Sequence, residues 1–310
     1  MNVHKPSVTI CIPHWQVRTY MTACLRSIRR HSAKYDLQVI VVDNGSRDDS
    51  LDYLRSLSWI RLIERPDETH TNWPRNVFTA WDRGLAEATG DFYLTLHSDV
   101  FVKADGWLDP LLREIGRPTV RSGRLQPVEG PAEAGHYEPT ATTQPSSVAA
   151  AGAWKLETAH PLYLWQKRVF GYASAKFKTL LGRRKDVSWK QGHYPRDYCA
   201  MYRTDLIRKH RLSFCPDGEY RGGGHAIARR LIEAGYSMGM VPAREMAKNV
   251  FHVAHGTAAV AAEKPLNHRR AQRKVQRKVH DLFEAEWIQS LLRDDSLDGP
   301  TYPAAESLAA

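Results

Sequence analysis

The 310-residue sequence predicts an α/β fold: a Rossmann-like, mainly parallel sheet flanked by helices, with an inserted segment and a C-terminal helix. In residues 1–116, short apolar runs rich in β-branched side chains alternate with stretches whose apolar residues recur at helical spacing. Such alternation is typical of parallel strands joined by helices. Three of the apolar runs end in polar side chains, and ligands bind beyond the carboxyl ends of parallel strands.

The first two strand–helix units have the clearest patterns. Residues 7–13, SVTICIP, form a short β-rich run, and apolar side chains recur at helical spacing through residues 19–32. Residues 37–46, LQVIVVDNGS, are apolar on both faces up to the first acid, as a central parallel strand should be. The leucines of residues 48–57 then predict a second helix.

The third unit leads to the fourth strand. Residues 59–64, WIRLIE, predict a strand, and residues 74–90 predict a helix with one apolar stripe. Gly90 is expected to cap that helix at its C-terminus. The run from 90 to 102, GDFYLTLHSDVFV, then predicts a buried strand that ends on Asp99.

The rest of the chain is less regular. Residues 117–151 are rich in Pro, Ala, Gly, Ser and Thr, which predicts a long loop or insertion. The folded pattern returns with strands in residues 197–203 and 248–257 and a helix in residues 225–236, which Gly235 would stop. Residues 267–294 predict one long C-terminal helix.

Composition and charge narrow the class of partner. The net charge of +10 favours an anionic partner: a nucleic acid, an acidic lipid or a phosphorylated substrate. No helix-turn-helix, zinc or RNA-binding signature is present, so we expect no nucleic-acid partner. No apolar run is long enough to span a membrane, and Pro13 interrupts the first one, so we expect no signal peptide and a cytoplasmic protein. The four cysteines have no metal-type spacing and are expected to be reduced.

Polar residues follow three of the predicted parallel strands. They are His14 and Gln16, then Asp43 and Asn44, then His97 and Asp99. Because the carboxyl ends of parallel strands meet at one edge, this topology would gather these side chains into one site. One polar ending is common in any sheet, but three predict a ligand-binding rim.

Several motifs in this order resemble the family 2 glycosyltransferases, which have the nucleotide-diphospho-sugar transferase (GT-A) fold. VVDNGSRDDS is close to that family's Val-Asp-Asp/Asn-Gly-Ser-x-Asp signature. SVTICIPHWQ resembles its opening strand, with Gln16 in place of the usual Asn. The remaining resemblance lies in PRNVFTAWDRGLAEATGDFYLTLHSD, CAMYRTDLIRKHRLSF, YRGGGHAIARRLIEAGY and VFHVAHGT.

The resemblance implies a domain organisation and an activity. Residues 1–116 would be the nucleotide-sugar-binding half of a GT-A domain and residues 191–260 its acceptor-binding half. Residues 117–190 would be an insertion with a basic aromatic segment, and residues 261–310 a basic C-terminal helix and tail. The implied enzyme is an inverting, metal-assisted glycosyltransferase. It would move a sugar from a UDP-, dTDP- or GDP-sugar donor to a hydroxyl of a glycan or lipid-linked saccharide.

The resemblance also implies site residues. The donor-binding positions would be Pro13, Asp43, Asn44, Arg75, Asn76 and Asp99. In this view Asp43 accepts a hydrogen bond from the base and Arg75 contacts the diphosphate. The alternatives from the residues alone are that Asp43 and Asp99 are turn or N-cap acids and that Arg75 is a solvated arginine.

The divalent metal, Mn²⁺ or Mg²⁺, would be held by Asp99 with His252 and His97. The family motif is usually Asp-x-Asp, and here the first acid is His97. Imidazole suits Mn²⁺ better than Mg²⁺. His97 could equally be a packed histidine beside the site, and His252 a surface histidine.

The catalytic base is the least determined residue. The family supplies it from a Glu-Asp pair that opens a helix, and the corresponding positions here are Gly223 and Gly224. The candidates nearby are His225, Glu219 and Asp217. A histidine whose pKa is near neutral can take the proton of the acceptor hydroxyl. The alternative is that these residues form a turn followed by an ordinary helix start and have no catalytic role.

Two other functions are compatible with a nucleotide-binding sheet of this kind. A sugar-phosphate nucleotidyltransferase would need glycines after the first strand, and PHWQVRTY has none. A non-catalytic nucleotide- or glycan-binding protein on a degenerate GT-A fold is the main alternative, because both the usual acid motif and the usual base are altered. The basic C-terminal helix predicts peripheral contact of the protein with the anionic inner face of the membrane.

Overall fold

The computed structural model describes residues 6–67, 73–117, 147–154, 156, 194–217, 222–253, 256 and 269–300. The first half of the chain alternates strand and helix, as predicted. Its elements are β1 (Ser7–His14), α1 (Arg18–Arg30), β2 (Asp36–Asp43), α2 (Ser50–Ser56), β3 (Ile60–Glu64), α3 (Trp73–Glu87), β4 (Phe92–Leu96), β5 (Val100–Val102) and α4 (Asp109–Ile115).

The second half contributes the remaining strands and the C-terminal helices. Its elements are β6 (Val148–Ala153), β7 (Cys199–Arg203), α5 (Thr204–Lys209), α6 (Gly224–Glu233), β8 (Ser237–Val241), α7 (Ala243–Asn249), β9 (Val250–His252), α8 (Arg269–Phe283), α9 (Glu286–Arg293) and a 3₁₀ turn (Asp295–Asp298). None of the helices in the described part of the chain has both the length and the apolar character needed to cross a bilayer.

Seven strands form one mixed sheet in the order β3-β2-β1-β4-β7-β6-β8. The strands β3, β2, β1 and β4 are parallel, whereas β7 runs antiparallel to both of its neighbours. The predicted class, a mainly parallel sheet between helices, is confirmed. A small second sheet pairs β5 with β9 in antiparallel register, with Val100 opposite His252.

Apolar side chains cover both faces of the sheet, which explains the continuous apolar runs of the central strands. On one face, Ile10 and Val41 pack with Leu25 of α1 in a core that extends to the C-terminal helices. On the other face, Cys11 and Ile40 pack against α3 in a second core. Because both faces of the sheet are packed, the strand ends that carry the loops of the carboxyl edge have fixed positions.

Four sequence predictions about elements were wrong in detail. Gly90 does not cap α3, which ends at Glu87; it lies against β1, where a Cβ would come within 2.6 Å of the Thr9 backbone nitrogen. The segment predicted as a loop up to residue 151 ends in the buried strand β6. The predicted strand at 248–257 is shortened to three residues because α7 continues to Asn249.

The fourth correction concerns the C-terminal helix. The predicted helix is interrupted at Ala285, whose extended backbone separates α8 from α9. This break lets α9 pack against α1, and Ile288 and Leu291 are buried there. The predicted loop between residues 118 and 146, and most of the basic aromatic segment, lie outside the described residues.

Candidate active site at the carboxyl edge of the sheet

The loops after β1 and β2 are tied together at the carboxyl edge. Gln16 and Val17 have left-handed backbone conformations, with φ of 55° and 62°. Such a conformation is costly for a β-branched residue and clusters at functional sites. The Gln16 N–H donates to Ser46 Oγ and the Val17 N–H to Asp48 Oδ2, each at 2.7 Å. The second loop therefore fixes the shape of the first.

Asp43 is buried at the end of β2 and organises its own turn. Its Oδ2 accepts from the N–H groups of Gly45 and Ser46, and its Oδ1 accepts from Ser46 Oγ at 2.5 Å. A carboxylate has about four acceptor positions, so one remains for a further donor. The contacts are those of the turn acid that the sequence offered as an alternative, and a role for Asp43 in binding a base stays a prediction.

A half-buried arginine that sequence reasoning missed connects two predicted donor-binding residues. Arg65 Nη1 donates to Asn44 Oδ1 at 2.5 Å and to the carbonyl of Asn76 at 3.2 Å. Burial, with Arg83 nearby, lowers the pKa of Arg65, so this guanidinium sits where an anion would relieve it. Its sequence signal was its place directly after the third strand, at the same edge as Asp43 and Asp99.

Arg75 and Asp217 meet at the mouth of the edge. Arg75 Nη2 lies 3.2 Å from Asp217 Oδ1, with side chains 52% and 97% exposed. An ion pair this open is weak. Arg75 is therefore available to an anionic ligand, whereas Asp217 is an exposed partner of Arg75 and not part of the buried cluster described next.

Three residues predicted as metal ligands lie together. Asp99 Oδ1 is 3.5 Å from His252 Nε2 and 3.8 Å from His97 Nδ1. One ligand atom from each lies within 4.8 Å of the others, which defines the His97–Asp99–His252 cluster. The β5–β9 ladder brings His252 to this place by pairing it with Val100, one residue after Asp99. Proximity does not itself test ligation, so the metal role stays a prediction.

Aromatic rings hold both histidines of the cluster. His97 stacks on Trp81 with centroids 5.6 Å apart, and His252 stacks on Tyr198 at 4.6 Å and nearly parallel. The two imidazoles meet edge to face at 5.9 Å. Tyr198 is anchored in turn by donating to the Trp154 carbonyl at 2.9 Å. Fixed rings present their nitrogens in one direction, as ligands require.

Asp99 is buried but charged. Burial alone would raise its pKa, but His252, His97 and the Gly256 N–H outweigh burial, and the pKa of Asp99 lies below its usual value. Burial lowers the pKa of His97, although the charge of Asp99 acts in the opposite direction. The cluster is therefore an ionised carboxylate beside a neutral imidazole, which is the protonation state that a metal ion binds.

The donor set fits a divalent transition metal. Asp99 Oδ2 accepts from the Gly256 N–H, while Oδ1 is buried and has no hydrogen-bond partner among the described residues. Ligand atoms about 2.1 Å from one ion and at roughly right angles lie about 3 Å apart, so the observed gaps need only a small movement. Two imidazoles and one carboxylate suit Mn²⁺ and disfavour Mg²⁺.

The predicted bases are dispersed. His225 lies in the first turn of α6 with its ring edge against Tyr194, at 5.4 Å between centroids. Glu219 lies outside the described residues. An acid that sequence reasoning did not consider, Asp197, lies against Gly223 and Gly224 at the start of α6. Its only sequence signal was its place just before a strand, which does not distinguish it from an ordinary turn residue.

The fold is of the nucleotide-diphospho-sugar transferase (GT-A) type that the motifs predicted, with polar side chains at the carboxyl edge where such sheets bind ligands. The family model described as Glycosyl transferase family 2 matches residues 9–211, and the chain belongs to that family. This family membership is the one that the sequence motifs predicted.

Named relatives agree with this assignment. EpsH of Bacillus subtilis (strain 168), which carries a glycosyltransferase name, is 24% identical over 221 residues, covering 70% of this chain and 53% of EpsH. The PGL/p-HBAD biosynthesis glycosyltransferase of Mycobacterium bovis (strain BCG / Pasteur 1173P2) is 35% identical over 94 residues, covering 30% of this chain and 36% of that protein. The chain thus spans about half and about a third of the lengths of these relatives.

A solved structure shares the fold. The mannosyltransferase PcManGT from Pyrobaculum calidifontis, in complex with GDP-Man and Mn²⁺, aligns with a TM-score of 0.50 and 15% identity. The alignment covers 99% of this chain and 79% of that chain. At this identity the likeness concerns the fold.

Proposed function

We propose that the protein is an inverting glycosyltransferase that uses a nucleoside-diphosphate sugar and Mn²⁺ to glycosylate a hydroxyl of a glycan or lipid-linked saccharide. The His97–Asp99–His252 cluster carries the proposal, because it places metal-ligand side chains at the edge where the family binds its donor. The fold neighbour from Pyrobaculum, which holds GDP-Man and Mn²⁺, supports the choice of donor class and metal.

The described residues divide the donor's groups between them. Asp99, His252 and His97 would hold the metal, which when bound neutralises the charge of the leaving diphosphate as a Lewis acid. Arg75, exposed at the edge, attracts the phosphates, and the half-buried Arg65 fixes the loops of Asn44 and Asn76 around them. The turn of Asp43 orients the nucleoside through its remaining acceptor position.

The reaction itself is a displacement. The acceptor oxygen attacks the anomeric carbon and forms a new C–O bond while the bond from that carbon to the phosphate oxygen breaks. The diphosphate leaves with the bonding electrons, and a protein base takes the hydroxyl proton. Attack on the face opposite the leaving group inverts the anomeric configuration.

Calorimetric titration with UDP, dTDP and GDP, each with and without Mn²⁺, tests the proposal. We expect one nucleotide to bind in a Mn²⁺-dependent way, and Asp99→Asn to lose the Mn²⁺ dependence. Asp105→Asn is the matched control, because Asp105 is an exposed acid that pairs with His31 away from the edge. Equal binding with and without Mn²⁺ would contradict the metal, and no binding at all would favour the non-catalytic alternative.

We also propose a peripheral membrane placement on the cytoplasmic side, which suits a lipid-linked acceptor. The exposed Arg277 and Lys278 of α8 continue a basic stretch that begins near residue 261. A curated relative from Methanococcus voltae, 25% identical over 99 residues, is named for transfer involving a dolichyl N-acetyl-glucosaminyl phosphate. We expect the protein to sediment with phosphatidylserine vesicles at low salt and to be released at high salt. Equal sedimentation with neutral vesicles would contradict an electrostatic contact.

A further inference from the structure

The carboxylate of Asp197 occupies the first turn of α6. A Cβ added to Gly223 or to Gly224 would lie closer than 3.0 Å to a carboxylate oxygen of Asp197. The two glycines therefore leave the space that this side chain fills. Gly223 also has φ of 68°, a conformation that glycine adopts readily. The backbone at the start of a helix carries partial positive charge, which favours an anion there.

Asp197 also borders the His97–Asp99–His252 cluster. Its neighbour Tyr198 forms the aromatic surface on which His252 stacks. Its charge is close enough to His97 to raise the pKa of that imidazole against the larger effect of burial. Asp197 itself is half-buried, so one side of it faces solvent from which an acceptor can approach.

A buried hydroxyl points to the same place. Tyr202 is fully buried, and its Oη has no hydrogen-bond partner among the described residues. The Tyr202 Oη lies 2.7 Å from where a Cβ on Gly224 would be. Asp197 and this hydroxyl thus converge on one point beside the glycine backbone. A buried hydroxyl without a partner is costly, so the Tyr202 Oη beside Asp197 is the kind of group that a polar atom of a ligand completes.

Four other acids at or near this edge are already engaged. Asp43 accepts three hydrogen bonds in its own turn. Asp82 accepts hydrogen bonds from the Ser213 hydroxyl and from the N–H groups of Phe214 and Cys215. Asp217 is exposed and paired with Arg75, and Asp99 belongs to the metal cluster.

We propose that Asp197 is the catalytic base that takes the proton of the acceptor hydroxyl, an inference that rests on the proposed function. The proton moves from the acceptor oxygen to a carboxylate oxygen of Asp197 as the oxygen bonds to the anomeric carbon and the diphosphate departs. The glycines at positions 223 and 224 serve two ends: they make room for the carboxylate and let the acceptor come close to the backbone.

The test begins with Asp197→Asn, which keeps the shape and removes the base. The rate is the release of nucleoside diphosphate from UDP-glucose, UDP-N-acetylglucosamine, GDP-mannose and dTDP-rhamnose, with octyl glucoside and octyl mannoside as acceptors. We expect kcat to fall by about 10²- to 10⁴-fold, while the calorimetric Kd for the nucleotide with Mn²⁺ changes less than about threefold. A purely structural acid would instead alter Tm and leave kcat near that of the wild type, which would overturn the proposal.

A relocated carboxylate keeps the proposal falsifiable if the first variant is misfolded. Asp197→Ala with Tyr202→Phe clears the side-chain atoms that a Cβ at position 224 would meet. In that background we expect Gly224→Asp to raise kcat at least about tenfold over the matched Gly224→Asn. Equal rates for these two would overturn the role of a carboxylate at this point. Failure of the wild type to bind any nucleotide would overturn the proposed function and this role together.

Discussion

Two regions of the protein bury charge in opposite ways. Where α1 meets the C-terminal segment, three arginines each have protein acceptors. Arg26 donates to Asp298 and to two carbonyls of α9, Arg30 pairs with Asp294 at 2.9 Å, and Arg29 donates to the Gly299 and Pro300 carbonyls. At the carboxyl edge, by contrast, Asp99 Oδ1, Tyr202 Oη and His14 Nδ1 are buried without hydrogen-bond partners among the described residues.

Arg30 Nε is also buried without a partner, but its guanidinium is paired with Asp294 through Nη2. The difference therefore lies in whether the charged group as a whole is matched within the protein, and we take it to separate structure from function. Polar groups that are buried with partners stabilise a fold, and removing one partner is costly. Polar groups that are buried without partners cost stability and are kept where a ligand will complete them. We therefore expect substitutions in the first region to change stability but not ligand binding, and substitutions of the edge residues that would contact the ligand to change binding more than stability.

The largest expected effect is a loss of stability from Arg26→Met. Arg26 is 8% exposed, and its loss leaves two carbonyls without this donor and Asp298 with the Tyr53 hydroxyl in place of the charge pair. We expect the free energy of unfolding to fall by about 3–5 kcal/mol, measured by urea denaturation, with nucleotide affinity unchanged.

The matched control is Arg55→Met. Arg55 pairs with Glu64 at 2.7 Å but is 52% exposed, so we expect a much smaller loss of stability than for Arg26→Met. Similar losses for the two variants would contradict the distinction between the buried and the open pair.

The next effect is a dependence of stability on pH that His14 causes. Burial, partly opposed by Asp43 and Asp48, lowers the pKa of His14 to about 4. As pH falls below about 6.5 the unfolded chain binds this proton first, so stability is lost between pH 6.5 and about 4, by up to about 3 kcal/mol. Above pH 6.5 the imidazole is neutral in both states and its contribution is constant.

His14→Gln should remove this part of the acid sensitivity. We expect the free energy of unfolding of the wild type, measured relative to the variant, to decrease from pH 7.5 to pH 4.5. A gap between the two proteins that is the same at both pH values would show that His14 is not buried in its neutral form.

The third effect concerns metal binding alone. We expect Asp99→Asn to weaken Mn²⁺ binding by at least about 100-fold and to abolish the rise in Tm that Mn²⁺ gives the wild type. Without metal the variant should be about as stable as the wild type, because its amide oxygen still accepts from the Gly256 N–H. A large loss of stability in EDTA would place Asp99 with the structural charges.

The smallest effect tests the ring that holds His252. Tyr198→Leu removes the stacked ring, and we expect Mn²⁺ affinity to fall about tenfold. Tyr198→Phe keeps the ring and loses only the bond to the Trp154 carbonyl, which should cost about 1 kcal/mol of stability and leave Mn²⁺ affinity unchanged. Equal metal affinities for the two variants would show that stacking does not position His252.

The sequence predicted those features that depend on local pattern. The strands β1 to β4 and the polar residues after them follow from apolar runs and parallel topology, so the grouping of Asp43 and Asp99 at one edge was foreseeable. Arg65 was missed because one arginine after a strand has no distinctive pattern. The C-terminal helix was predicted without its break because Ala285 is a good helix former, and packing against α1 decides its conformation.

Asp197 illustrates what local pattern cannot give. Nothing near Asp197 in the chain indicates that it lies on Gly223 and Gly224, because the contact joins a loop before β7 to the start of a helix beyond it. The meaning of the glycine run depended on that contact. In the sequence, Gly223 and Gly224 stand where the family has its acids. In the structure, the same two glycines leave the space that the Asp197 carboxylate fills.

The β5–β9 ladder has a consequence for how the protein matures. It joins Asp99 to a segment that contains Gly256, 157 residues later in the chain. Closing so long a loop is slow, and contacts of this separation form late in folding. During synthesis the sheet from β1 to β4 can assemble while the His97–Asp99–His252 cluster still lacks His252. A half-made chain would then neither sequester Mn²⁺ at this cluster nor hydrolyse sugar nucleotides there, and metal binding would report that folding is complete.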